Sequence, residues 1–124
     1  MSLLLDTHVV IWWLADDPTL ADDIKDRLDH DPDVFVSAAT VWEVAIKQSI
    51  GKFKEPTDLA ERIRGSGFRE LPITSDHAMV AGRLPLIHRD PFDRILAAQA
   101  RCEQLTLVTR DPEIRKYDVQ ILSA

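Results

Sequence analysis

Four acidic residues, Asp6, Glu43, Asp93 and Asp111, stand where short apolar runs end or where the helices beside them begin. Asp6 directly follows Leu3-Leu4-Leu5, and Asp111 follows the run from Leu105 to Thr109 in Thr109-Arg110-Asp111. Glu43 falls two turns into the helix expected after Val34-Phe35-Val36, and Asp93 lies in the first turn of the stretch that precedes Leu105. Acids from four separate elements could thus converge on one end of a sheet. Carboxylates gathered in this way repel one another: two unit charges at ~4 Å cost about 4 kcal/mol at an effective dielectric near 20. Such a cluster calls for protonation or for a cation among its members. An oxygen-only ligand set without Cys or His favours a hard ion, Mg²⁺ or Mn²⁺, over zinc. The chemistry implied is hydrolysis of a phosphate ester by an activated water, with no covalent nucleophile from the protein.

Each acid also has an ordinary structural use. Asp6 can cap a helix beginning near Thr7, and Glu43 can pair with Lys47 at i,i+4. Asp90, Pro91 and Asp93 fit the N-cap, N1 and N3 positions of one helix start. Asp111-Pro112 is a common turn opening. Individually these signals are weak, and the functional reading rests on their joint placement.

The elements that must position them follow from apolar spacing. Leu3 to Leu5, Val34 to Val36, Leu105 to Thr109 and Val119 to Leu122 read as short buried strands. Phe68 to Ile73 reads as a further strand that Pro72 confines to an edge or a terminus. Helices are expected over His8–Leu14, stopped by Asp16-Asp17-Pro18, and over Thr19–Leu28, with Leu20, Ile24 and Leu28 four apart. Ser37 suits the N-cap of a third helix, with Ala38, Val41, Trp42 and Ala45 on its apolar face and Gly51 after its last turn. Thr57–Arg64 reads as a shorter polar helix closed by Gly65-Ser66-Gly67, and Ser75–Leu84 as another that Gly82 weakens. Asp90-Pro91 opens a nearly all-apolar helix from Phe92 to Cys102. Strands alternating with helices predict an α/β fold, a central mainly parallel sheet with helices on both faces. In such sheets ligands lie at the carboxyl ends of the strands, where these acids fall.

At 124 residues without repeats or linker, the chain is expected to form one domain over 1–124. Its single cysteine, Cys102, permits no internal disulfide and suggests a reducing, cytoplasmic setting. No basic stretch precedes the first apolar residues, so no signal peptide is expected. The longest apolar run, Val9 to Ala15, is far short of the ~20 residues that span a bilayer. A net charge of −6 argues against sequence-blind binding to nucleic acid. Setting the four acids aside still leaves no polycation, so a nucleic-acid substrate would have to be held through a bound metal or a local basic patch.

Taken together, four stretches resemble the PIN-domain ribonucleases, in particular the VapC-type toxins of bacterial toxin–antitoxin modules. They are Leu4-Leu5-Asp6-Thr7-His8, Val36 to Glu43, His88 to Arg94, and Leu107 to Asp111, in the family's order and over nearly the whole chain. The run from Asp90 through Asp93 into Ala97-Ala98-Gln99-Ala100 is the most specific. The resemblance implies that Asp6, Glu43, Asp93 and Asp111 form an acidic metal-binding quartet. It favours Asp93 over Asp90, because the family's acid directly precedes the segment matched by Ile95 to Ala98. It likens Thr7 and Thr109 to hydroxyls that support the acids or a metal-bound water. It further implies Mg²⁺ or Mn²⁺, cleavage of RNA, a homodimer or larger toxin–antitoxin assembly, and inhibition by a cognate VapB-type antitoxin.

Other side chains could act around such a centre. His8, His30, His77 and His88 share no metal-ligand spacing and are expected to be mostly structural or exposed. Trp12, Trp13 and Trp42 can stack bases, although their helical spacing favours packing. One of the adjacent pair Trp12 and Trp13 is expected to face an antitoxin or a second subunit. Lys47, Lys52, Lys54, Arg89 and Arg94 are the candidates for phosphate contacts, and Arg94 can instead orient a neighbouring acid. Two alternatives use the same residues differently: a phosphoryl-transfer domain with Asp6 as covalent nucleophile, and a non-catalytic antitoxin-binding module. A receiver-type domain would want a strand-borne lysine downstream, which no expected strand supplies.

Overall fold

Leu3, Leu4 and Leu5 are all without solvent exposure, although successive strand residues point to opposite faces. Only a strand covered on both faces meets that condition, and β1 (Leu3–Leu5) is the central strand of a five-stranded sheet. The computed structural model describes residues 2–52, 58–87 and 89–124. Within them β1 pairs with β2 (Val34–Ser37) and with β4 (Thr106–Thr109), while β3 (Arg69–Leu71) and β5 (Ile121–Ser123) form the edges. The strand order is β3-β2-β1-β4-β5, and every described pairing is parallel, where the sequence led to a mainly parallel sheet.

The alternation of side chains builds two cores. On one face Leu3, Leu5, Val34, Val36 and Val108 meet α1 (Thr7–Leu14), α2 (Asp22–His30), α3 (Ala38–Ser49) and α4 (Leu59–Arg64). On the other, Leu4, Leu71 and Leu107 meet Leu96 and Ala100 of α6 (Pro91–Glu103) and Ile114 of a 3-10 turn (Ile114–Lys116). The outer helix α5 (Ser75–Arg83) packs on α6 around Leu84, Ala97 and Ala98. Each fully buried Leu contributes roughly 1.5–3 kcal/mol relative to leaving it in water. Helices on both faces are as expected. No helix among the described residues is long and apolar enough to cross a membrane.

Several boundaries move for local reasons. The second helix starts at Asp22, because the Thr19 N–H donates to the Asp17 carboxylate (2.8 Å) and closes a turn there. The third strand ends at Leu71, just before Pro72, and lies at the sheet edge as Pro72 required. The last strand begins only at Ile121, where pairing with Leu107 begins. Thr57, expected to open the fourth helix, lies outside the described residues, as do Lys54 and His88.

The third helix is rotated from the expected face. Ala39, Thr40, Glu43 and Val44 are buried, whereas Ala45 and Trp42 are exposed, Trp42 by 60%. The inward face is the one that carries the acid.

Candidate active site

The strand order reverses between β1 and β4, so the crevice at their carboxyl ends is the sheet's switch point. The register Leu5 to Val108 sets the following residues, Asp6 and Thr109, side by side at that crevice. There the Thr109 hydroxyl donates to the Asp6 carboxylate at 2.7 Å. The same Thr109 oxygen accepts the Asp111 backbone N–H at 3.1 Å, which ties the chain after β4 to the end of β1. Asp6 occupies the N-cap position of α1, but its carboxylate makes no capping bond. It is directed to the crevice instead. Burial pushes its carboxyl above the usual carboxylate range and the nearby Asp111 charge adds to this, against the Thr109 hydrogen bond and the exposed His8.

Asp111 also serves the turn anticipated from Asp111-Pro112, its carboxylate accepting the Glu113 N–H at 2.8 Å. The next residue of β1's exit, Thr7, builds a second group. Its hydroxyl donates to Glu43 Oε1 at 2.8 Å and stands 3.2 Å from the Thr40 hydroxyl. Lys47, one turn along α3, pairs with Glu43 Oε2 at 3.0 Å. Glu43 therefore has both the i,i+4 partner that helix spacing predicts and a partner from another element. Thr40 was not singled out from sequence, although its spacing of three from Glu43 puts it on the same helix face.

Asp93 sits at N3 of α6, half-buried, and Asp90 is the cap: its Oδ1 accepts the N–H groups of Phe92 (2.8 Å) and Asp93 (3.4 Å). Phe92 meets the edge of Trp42, the neighbour of Glu43, with ring centroids 5.1 Å apart. That contact brings the start of α6 to α3. Asp6 and Asp111 thus share Thr109, and Glu43 joins through Thr7. Among the described residues, no three Asp, Glu, His or Cys side chains stand close enough to cage an ion unaided. A hard divalent ion fits the site nonetheless, since Mg²⁺ is commonly held by one or two carboxylates and keeps several waters. The buried Asp6 with the half-buried Asp111 beside it would supply that kind of donor set.

The basic and aromatic candidates divide. Arg94 donates to the carbonyls of Ala81 (2.7 Å), Leu84 (3.0 Å) and Pro85 (3.1 Å), clamping the end of α5 to the first turn of α6. Arg89 and Lys52 are exposed. His77 is buried in the cap of α5, where its Nδ1 accepts the Thr74 N–H at 3.0 Å. Trp12 is half-buried under the Arg110 guanidinium, 4.7 Å from its centroid. Trp13 is half-buried against Phe68 and donates to Asp29 at 2.9 Å. The exposed tryptophan is thus Trp42, not either member of the adjacent pair. It lines an open apolar groove with Ile46, Ile73, Phe92 and Ile95.

The PIN domain family model matches residues 3–120. Ribonuclease VapC22 of Mycobacterium tuberculosis (strain ATCC 25618 / H37Rv) is 31% identical over 124 residues, covering 94% of this chain and 92% of that protein. Among solved structures, FitAcB from Neisseria gonorrhoeae is similar with a TM-score of 0.69 at 28% identity, over 97% of this chain and 96% of that one. VapBC2 from Rickettsia felis, bound to a DNA fragment from their promoter, has a TM-score of 0.79 at 18% identity, covering 100% of this chain and 99% of that one. The second likeness is one of fold. Together with the site at the switch point, the match along nearly the whole sequence settles the family: the chain belongs to the PIN-domain family.

Proposed function

We propose that this chain is a metal-dependent endoribonuclease and the toxin of a toxin–antitoxin pair. The observation that carries the proposal is the buried Asp6, bonded by Thr109 and neighboured by Asp111, at the sheet's switch point. The curated relative named a ribonuclease supports RNA as the substrate. Asp6 and Asp111 would hold Mg²⁺ or Mn²⁺, with Glu43 and Asp93 completing the acidic lining. When bound, such an ion supplies Lewis acidity toward a phosphodiester oxygen and toward water.

The chain's own residues orient and neutralise. The Thr109 hydroxyl fixes one Asp6 oxygen and thereby the direction of the other. Thr7 and Lys47 hold the Glu43 carboxylate in place. Arg89 and Lys52, both exposed, are the candidates for contacts to the phosphate backbone. Sequence-specific readers of RNA favour single strands and loops. The similarity to VapC-type toxins supports a VapB-type antitoxin as the partner, a homodimer or larger toxin–antitoxin assembly, and a cytoplasmic setting.

The test is incubation of total cellular RNA with purified, antitoxin-free protein in Mg²⁺, Mn²⁺ or EDTA, beside an Asp93→Asn variant. Discrete cuts are expected with either metal, none in EDTA and none by the variant. Intact RNA in the presence of Mn²⁺ and folded protein would overturn the proposal. Cutting by Asp93→Asn at the wild-type rate would instead remove Asp93 alone from the site.

A further inference from the structure

The acidic mouth has two unlike halves. Asp6 is held by a neutral hydroxyl and has a second acid, Asp111, beside it. Glu43 is already matched by a cation of the protein's own. Its Oε1 takes the Thr7 hydroxyl at 2.8 Å and its Oε2 the Lys47 ammonium at 3.0 Å. Helix spacing fixes that pair on one face of α3, and the Thr40 hydroxyl braces Thr7 from behind. The Glu43 and Lys47 side chains are only 10% and 27% exposed, so salt and water screen the pair less than a surface pair. A divalent ion on Glu43 would have to displace the ammonium and then stand beside it as a like charge.

We infer that Lys47 is the built-in second cation of this centre: its ammonium serves the Glu43 half, and one divalent ion is taken up, on the Asp6–Asp111 half. The inference rests on the metal-dependent reading above and adds its stoichiometry. Two-metal phosphodiesterases place ions about 3.5–4 Å apart to balance charge on the attacking and leaving oxygens. Here Asp6 and Thr7 are consecutive, so a lysine anchored through Thr7's partner supplies positive charge next to the ion without a second metal. Lys47 is a positioning residue by this account, acting through Glu43. It occupies the carboxylate and denies it to a metal.

The decisive measurement is Mn²⁺ binding to the full chain, counted by loss of the free-ion electron paramagnetic resonance signal and by calorimetry. Wild type, Lys47→Met, Lys47→Arg and Asp6→Asn are compared, with circular dichroism melts to establish folding. We expect one ion on wild type and on Lys47→Arg, two on Lys47→Met, and loss of the tight ion on Asp6→Asn. Two ions on wild type would overturn the inference while leaving metal dependence standing, and that outcome does not depend on any variant folding. One ion on folded Lys47→Met would overturn it as well. No ion on wild type would remove the metal-dependent reading and this inference with it.

Discussion

Asp6 and Glu43 are buried to nearly the same degree, 5% and 7% exposed, and each accepts a threonine hydroxyl, yet the fold treats their charges differently. Glu43 sits one helical turn from a lysine that pairs with it. Asp6 sits at the end of a buried strand, and its neighbour across Thr109 is another acid. One half of the site is electrostatically finished by the sequence itself. The other half sets a buried acid beside a second acid. The difference follows from placement: a helix offers Glu43 a lysine one turn away, whereas the switch point sets Asp6 beside Asp111.

The largest effect expected from breaking this contrast is that of Asp6→Asn. Cleavage should fall by about 100- to 1000-fold, the scale of losing one strong transition-state contact. Stability should move the other way. Because burial raises the Asp6 carboxyl in the folded chain, the native state keeps a proton that the unfolded chain has already released. Over that window stability falls as pH rises, from the unfolded chain's carboxylate pKa up through the raised folded value, and stays lower above it. Asn carries no such charge. Metal-free Asp6→Asn should therefore melt higher than metal-free wild type at neutral pH, with the gap closing in acid. Denaturant melts from pH 3 to 8 in EDTA decide this, and a variant that melts lower at pH 7 would show that Asp6 is not strained by burial.

A smaller effect is expected from Thr109→Val, which keeps shape and removes the hydroxyl that joins Asp6 to the Asp111 N–H. Thr109 is fully buried, so the two partners lose their bond with little access to water. The cost should be about 1–3 kcal/mol of stability, and cleavage should fall with it. An unchanged melt in EDTA would mean that Asp6 and Asp111 are held by other means.

How much of this was legible beforehand follows from what kind of signal each part leaves. Strands covered on both faces read as unbroken apolar runs, so Leu3 to Leu5 placed Asp6 correctly at a strand's carboxyl end. Parallel pairing then brings Thr109 to it, since register follows from burial. The third helix was harder. An apolar stripe normally marks the inner face, and Ala38, Val41, Trp42 and Ala45 suggested one. The buried face instead carries Thr40 and Glu43, polar groups made tolerable by Thr7 and Lys47, partners that hydrophobic spacing does not weigh. Arg94 was considered for phosphate or for an acid, and its bonds to three carbonyls at the end of α5 depend on a helix–helix approach that no local pattern encodes. Packing, the use favoured for the adjacent tryptophans, is what they show, although their partners Arg110 and Phe68 come from far along the chain.

The smallest effect, and the sharpest for the comparison, belongs to Glu43→Gln. The amide still accepts from Thr7, and Lys47, with over a quarter of its side chain exposed, can turn its ammonium to water. What is lost is one partly screened i,i+4 pair, worth about 0.5 kcal/mol. Stability should thus hardly change, in contrast to Thr109→Val, although both residues touch a buried acid or are one. A double-mutant cycle with Lys47→Met isolates the pair, and a coupling near 0.5 kcal/mol is expected in EDTA. With the ion on the Asp6 half, as proposed, the same cycle in saturating Mn²⁺ should give nearly the same coupling. A coupling that changes sign when metal is added would place the ion on Glu43, and the two halves of the site would then be one.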